Sequence, residues 1–169
     1  MRKTFIFDFD DTLANFSMYN TLVLKQPLSV LPHYSGLLPG AEDVLDFLSS
    51  RHDRLLMLTM NIVLDDSQKW RKLDRLGIRR WFREKDVYFV RNKTPEVIDR
   101  ICGNANRRRC YMVGNSLGHD MIPALEAGIN AIFIERPLAK RLIPRRKPRS
   151  DRLITLHRID QIMDIYPEL

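Results

Sequence analysis

The sequence predicts an α/β fold, one parallel sheet with helices on both of its faces, and three observations carry that prediction. Short runs of β-forming residues alternate with segments of helical period along the chain. Most of those runs are nearly continuous in apolar residues, as strands buried on both faces should be. The chain is 169 residues long, 44% hydrophobic and 29% charged, which suits one domain spanning 1–169 with a core that needs no staples.

The expected strands are Thr4 to Phe9, Arg54 to Thr59, Val87 to Val90, Cys110 to Gly114, Ala131 to Ile134 and Leu153 to Leu156. Helices lie between them. Pro39-Gly40 precedes a helix with Val44, Leu45 and Leu48 on one face, and Trp70, Leu73 and Leu76 mark a second that ends near Gly77. Thr94 as N-cap and Pro95 at the first helical position open a third, which uses Val97, Ile98 and Ile101. A fourth carries Met121, Ile122 and Leu125 and stops at Gly128. The last runs from about Asp160 to Tyr166, with Ile162, Met163 and Ile165 facing inward.

Two stretches break the alternation. Residues 14 to 38 contain Pro27, Pro32 and Gly36, which argue against one long helix and for a short flap or insert over the sheet's end. Residues 136 to 152 hold Arg136, Lys140, Arg141, Arg145, Arg146, Lys147, Arg149 and Arg152 against Asp151 alone, and Pro137, Pro144 and Pro148 make the segment a loop. The net charge of +7 therefore belongs to this segment, since the remaining basic and acidic residues balance.

Several classes are excluded. Asp8 cuts the first apolar run short of a signal peptide, and no stretch approaches the ~20 apolar residues that span a bilayer. A soluble, cytoplasmic protein with no membrane partner is expected. Cys102 and Cys110 lie in no metal-binding spacing and read as reduced packing residues.

The chemistry concentrates at strand ends. Phe5-Ile6-Phe7-Asp8-Phe9-Asp10-Asp11-Thr12 sets two carboxylates, one residue apart, directly after an apolar strand. Ligands of an open α/β sheet bind outside the carboxyl ends of its strands. There one carboxylate can attack an electrophile while the other handles protons. Thr59 and Met60 end the second strand, where a hydroxyl and backbone N–H groups can hold a phosphate oxygen. Lys93 follows the third strand and precedes a helix, a place for a cation facing an anionic site. Gly114-Asn115-Ser116-Leu117-Gly118-His119-Asp120 brings polar groups to the end of the fourth, and Asp120 offers Mg2+ a hard oxygen.

In this order, the four motifs resemble the haloacid dehalogenase (HAD) superfamily of aspartate-dependent phosphohydrolases: D-x-D-x-T after strand one, Ser or Thr after strand two, Lys before a later helix, and an acidic loop after strand four. The likeness spans essentially the whole chain, including Leu38-Pro39-Gly40 and Ala127-Gly128-Ile129. It implies a three-layer, Rossmann-like, HAD-like sheet with a minimal cap, and a Mg2+-dependent phosphatase acting on a phosphate monoester. It implies Asp8 as nucleophile forming an aspartyl-phosphate and Asp10 as acid/base. Thr59, Met60 and Lys93 would hold phosphoryl oxygens, Lys93 also steadying Asp8, and Thr12 would brace the loop. Asp8, the backbone carbonyl of Asp10, Asn115 and Asp120 would surround the metal.

One position departs from the family pattern: Asn115 stands where an Asp is usual, which lowers the charge at the metal by one and should weaken its binding. Between Thr59 and Lys93 there is room for only a helix and a strand, so residues 14 to 38, with Tyr19, His33 and Tyr34, are the candidate cap. Nearly capless members resemble enzymes acting on large phosphate esters, or those using a second subunit of a homo-oligomer as lid.

Other functions are weighed against this one. A dehalogenase has no leaving oxygen to protonate, so Asp10 favours phosphate. A phospho-receiver carries its acceptor after the third strand, where this chain has Arg91-Asn92. The basic segment suits salt-dependent contact with nucleic acid or nucleotide phosphates, yet no aromatic residue interleaves it for stacking. A nucleic-acid- or nucleotide-binding protein with weak turnover is the alternative.

Overall fold

The structure, a computed structural model, describes residues 2–14, 36–61, 66–135 and 146–169. Tyr19, His33 and Tyr34 of the expected flap lie outside the described residues. So do Arg136, Lys140, Arg141 and Arg145 of the basic segment.

Six parallel strands form one sheet in the order β3-β2-β1-β4-β5-β6. They are β1 (Thr4–Phe7), β2 (Arg54–Met60), β3 (Val87–Val90), β4 (Cys110–Gly114), β5 (Asn130–Ile134) and β6 (Leu153–Leu156). The helices are α1 (Ala41–Ser50), α2 (Asp66–Arg75), α3 (Pro95–Cys102), α4 (Ile122–Glu126) and α5 (Gln161–Ile165). Every strand pairing is parallel, and the order reverses between β1 and β4, where Phe7 pairs with Val113. That reversal opens a crevice at the carboxyl ends of these two strands.

Alternation along the strands sorts side chains between two apolar layers. Phe5, Phe7, Met57, Tyr111, Val113 and Ile132 pack with Val44, Leu45 and Leu48 of α1 and Ile162 of α5. On the opposite face Ile6, Leu56, Leu58, Met112 and Ala131 pack with Ile98 and Ile101 of α3 and Ala124 of α4. Near-continuous apolar strands follow from this two-sided burial. At the amino end, the buried Asp53 accepts from the Lys3 N–H at 2.8 Å and the Tyr166 hydroxyl at 2.7 Å, tying β1 to the turn after α5. Among the described residues, no helix is long and apolar enough to cross a membrane.

Four boundaries differ from the sequence expectation; one of them is β2, which ends at Met60 rather than Thr59. β1 ends at Phe7, not Phe9, because the chain turns sharply there: the N–H groups of Thr12, Leu13 and Ala14 all approach the Phe9 carbonyl. The fourth helix starts as a wide π turn, Leu117–Met121, before α4 proper, and Asn130 adds a residue at the start of β5. Ala14 bridges Leu37, and the Leu38 N–H donates to the Leu13 carbonyl at 2.8 Å. The ends of the expected flap are therefore fixed to each other, and Ala14 also bridges Asp10.

Candidate active site

Asp8 follows the last residue of β1 and keeps one sheet-like bond, its N–H donating to the Val113 carbonyl at 2.9 Å. Its carboxylate is 6% exposed with its residue and is held from two sides. The Lys93 ammonium donates to Oδ1 at 2.5 Å, and the Thr12 hydroxyl donates to Oδ2 at 3.1 Å. Burial pushes the Asp8 carboxyl up to about 7, with Lys93 opposing and Asp120 and Asp10 adding to the rise. Asp11 takes the left-handed conformation, φ 59°, which folds the loop back so that Thr12 reaches Asp8.

Lys93 is positioned by the start of α3. The Thr94 side chain caps that helix by accepting from the Val97 N–H, and Pro95 occupies its first turn. The ammonium lies between two carboxylates, Asp8 and Asp120, the second at 2.6 Å. Burial alone would lower its pKa, but the attraction of Asp120 and Asp8 outweighs that and raises it.

Asp120 uses both oxygens, Oδ1 for Lys93 and Oδ2 for the Ser116 N–H at 2.9 Å, while the Ser116 hydroxyl accepts from the His119 N–H. The π turn rests on this reciprocal capping, which brings Asp120 back against Gly114. A Cβ on Gly114 would stand 2.4 Å from Asp120 Oδ2. Gly114→Ala is therefore expected to displace Asp120 from Lys93 and to cost about 1–3 kcal/mol. Urea unfolding measures it, and an unchanged midpoint would refute this account of the glycine.

Of the residues expected from the sequence, Asp8, Lys93, Asn115 and Asp120 gather at the β1/β4 crevice. Asn115 Oδ1 lies 3.4 Å from the same Thr12 hydroxyl that bonds Asp8, so a carboxylate oxygen and an amide oxygen converge there. Asp10 and Thr59 are placed together on the β2 side. Met60 ends β2, which runs three residues past Met57, the last of its residues to pair with β1, there with Phe7.

The oxygen donors suit Mg2+, which takes one or two carboxylates and keeps several waters. Asp8 and Asn115 supply side-chain oxygens at one point, and Asp120 is tied to the same cluster through Lys93. Among the described residues, no three His, Cys, Asp or Glu side chains form a cation-binding group. A neutral amide in this donor set implies weak binding. Asn115→Asp is expected to tighten Mg2+ binding on the order of tenfold or more, since ligand charge sets affinity at such sites. Calorimetric titration would read it, and unchanged affinity would remove residue 115 from the metal's neighbours.

Sequence reasoning missed one member of the site, Lys69. It lies on α2 and is 3% exposed; its ammonium donates to Asp10 Oδ2 at 2.7 Å and to Thr59 Oγ1 at 3.2 Å. The available signal was its spacing: Lys69, Leu73 and Leu76 recur at i, i+4 and i+7, which puts a lysine on the inward face.

No family model matches the sequence, and no curated protein matches it. Solved structures do. An uncharacterized protein from Listeria monocytogenes serotype 4b is 20% identical with a TM-score of 0.75, covering 99% of both chains. A haloacid dehalogenase-like family hydrolase from Xanthomonas campestris is 14% identical with a TM-score of 0.76, over 99% of this chain and 95% of the other. A Bacillus subtilis protein described as a HAD hydrolase bound to magnesium is 12% identical with a TM-score of 0.69, over 99% of this chain and 100% of its own. The six-stranded parallel sheet, its strand order and these likenesses together give this chain the haloacid dehalogenase-like fold.

Proposed function

We propose that the protein is a Mg2+-dependent phosphatase that hydrolyses a phosphate monoester through Asp8. The observation that carries the reading is the arrangement of two acids at the β1 terminus: Asp8 held by Lys93 and Thr12, and Asp10 held separately by Lys69. One acid can then attack while the other moves protons. An Asp8 oxygen bonds to phosphorus and the ester P–O bond breaks, its electron pair going to the leaving oxygen, which takes a proton from Asp10. Water then gives a proton to Asp10 and attacks phosphorus, and the bond to Asp8 breaks to release phosphate.

Lys93, the Thr59 hydroxyl and the Met60 N–H hold phosphoryl oxygens in this reading. Beyond Met57, β2 has no β1 partner in its ladder, which leaves that edge available. Mg2+, held by Asp8, the Asp10 backbone carbonyl and Asn115, with Asp120 nearby, would neutralise phosphoryl charge as a Lewis acid. Asp10 favours phosphate over halide, because a departing halide needs no proton.

The test is hydrolysis of 4-nitrophenyl phosphate with and without Mg2+ by wild type and Asp8→Asn. Metal-dependent turnover lost in the variant is expected. Turnover that survives Asp8→Asn would overturn the reading. We place the protein in the cytoplasm, where Cys102 and Cys110, both free and buried, stay reduced. Nucleotides and nucleic-acid ends are candidate substrates through the basic segment; a KM that rises with salt would favour them over small sugar phosphates.

A further inference from the structure

Lys93 has a role in the phosphatase reading, but a second buried lysine, Lys69, serves the other half of the site. Its ammonium touches two groups of that reading contributed by different parts of the fold: Asp10 from the loop after β1, and Thr59 from β2. A lysine on the apolar face of α2 would gain more by reaching solvent unless its partners held it. The local charge is not confined to one residue, because Lys72, one turn further and half-buried, interacts electrostatically with both Asp10 and Lys69.

The hydrogen-bond directions carry the argument. An ammonium can only donate, so Thr59 Oγ1 accepts from Lys69 and its own proton is left for a second acceptor. On the proposed reading that acceptor is a phosphoryl oxygen. The same ammonium anchors one oxygen of Asp10, fixing the carboxyl whose other oxygen would carry the transferred proton. We infer that Lys69 is a positioning residue that couples leaving-group protonation by Asp10 to phosphoryl binding by Thr59. The inference rests on the phosphatase reading and adds to it a residue from α2.

Leaving-group chemistry separates this role from a merely structural one. 4-Nitrophenolate departs without being protonated, whereas the alkoxide of ethyl phosphate needs a proton as it leaves. Lys69→Met is expected to lower kcat on ethyl phosphate by about 10²-fold and on 4-nitrophenyl phosphate by less than about tenfold, the range of a positioned acid. Lys69→Arg, which keeps a cationic donor, is expected to recover most of the ethyl phosphate activity. Circular dichroism and thermal unfolding check that each variant folds, and Lys69→Gln replaces Lys69→Met if the latter does not.

Equal losses on both esters, or no loss on either, would overturn the inference while leaving the phosphatase reading intact, provided that wild type is active and Asp8→Asn is not. Wild-type protein that turns over neither ester overturns that reading, and the role of Lys69 with it.

Discussion

Lys93→Met is expected to destabilise the fold as well as abolish turnover. The side chain of Lys93 is 2% exposed and stands between Asp8 and Asp120, both buried. Methionine has similar bulk but no charge, so the variant keeps the packing and leaves two carboxylates without their cation. Removing one partner from a buried ion pair costs about 3–5 kcal/mol. Turnover should fall by at least about 10²–10³-fold, the loss that follows removal of one preorganised electrostatic donor.

The pH dependence identifies the cause. Burial already raises the Asp8 carboxyl above its unfolded value, and removing Lys93 takes away the cation that opposes the rise. Stability from such groups is complete below their unfolded pKa and is lost as pH rises through the folded one. The deficit of Lys93→Met should therefore be large at pH 8 and much smaller at pH 5, measured by urea unfolding. A deficit independent of pH would mean that Lys93 contributes packing alone.

Asp8→Asn is expected to behave in the opposite way. In the metal-free protein the Asp8 carboxyl is raised from 3.8 to about 7, chiefly by burial, with Lys93 opposing and Asp120 and Asp10 adding to the rise. Its sign follows the same rule: full stability below about 3.8, lost as pH climbs through about 7. At pH 8 the native state then carries an ionisation penalty on the order of a few kcal/mol. Asparagine removes the charge while Asp120 still pairs with Lys93. The variant should therefore be inactive yet more stable than wild type at pH 8 in a chelator, by on the order of 1–3 kcal/mol. The gap should close below about pH 4, where Asp8 is neutral in both states. Thermal melts at the two pH values measure it, and a less stable variant at pH 8 would show that attraction to Lys93 dominates.

Asp8 was legible in the sequence because it stands directly at the end of an apolar run, where a charge is conspicuous, and Lys93 because it lies between a strand and the capped start of a helix. The sheet was legible for a related reason, since burial on both faces leaves nearly unbroken apolar strands, and all six have β-branched residues or aromatics within them. What escaped depended on tertiary partners. Phe9 is as apolar as Phe7, so composition extends β1 through it, and only the turn onto its carbonyl ends the strand. The π turn likewise follows from Asp120 reaching the Ser116 N–H, a bond with no signature in hydrophobic period. Lys69 was hidden because the period was traced through Trp70, Leu73 and Leu76. The stripe one residue earlier carries the lysine, and its meaning appears only once Asp10 and Thr59 face it.

The bridge between Ala14 and Leu37 has an evolutionary consequence. Because the chain departs and returns at one anchored point, the intervening residues can lengthen, shorten or be exchanged while the backbone carrying Asp8 and Asp10 stays fixed. Closing a longer loop costs little, only about 0.6 kcal/mol for each doubling. On the proposed reading, with that stretch as the cap, substrate choice and bond cleavage could then diverge independently, by replacement of a single stretch of chain.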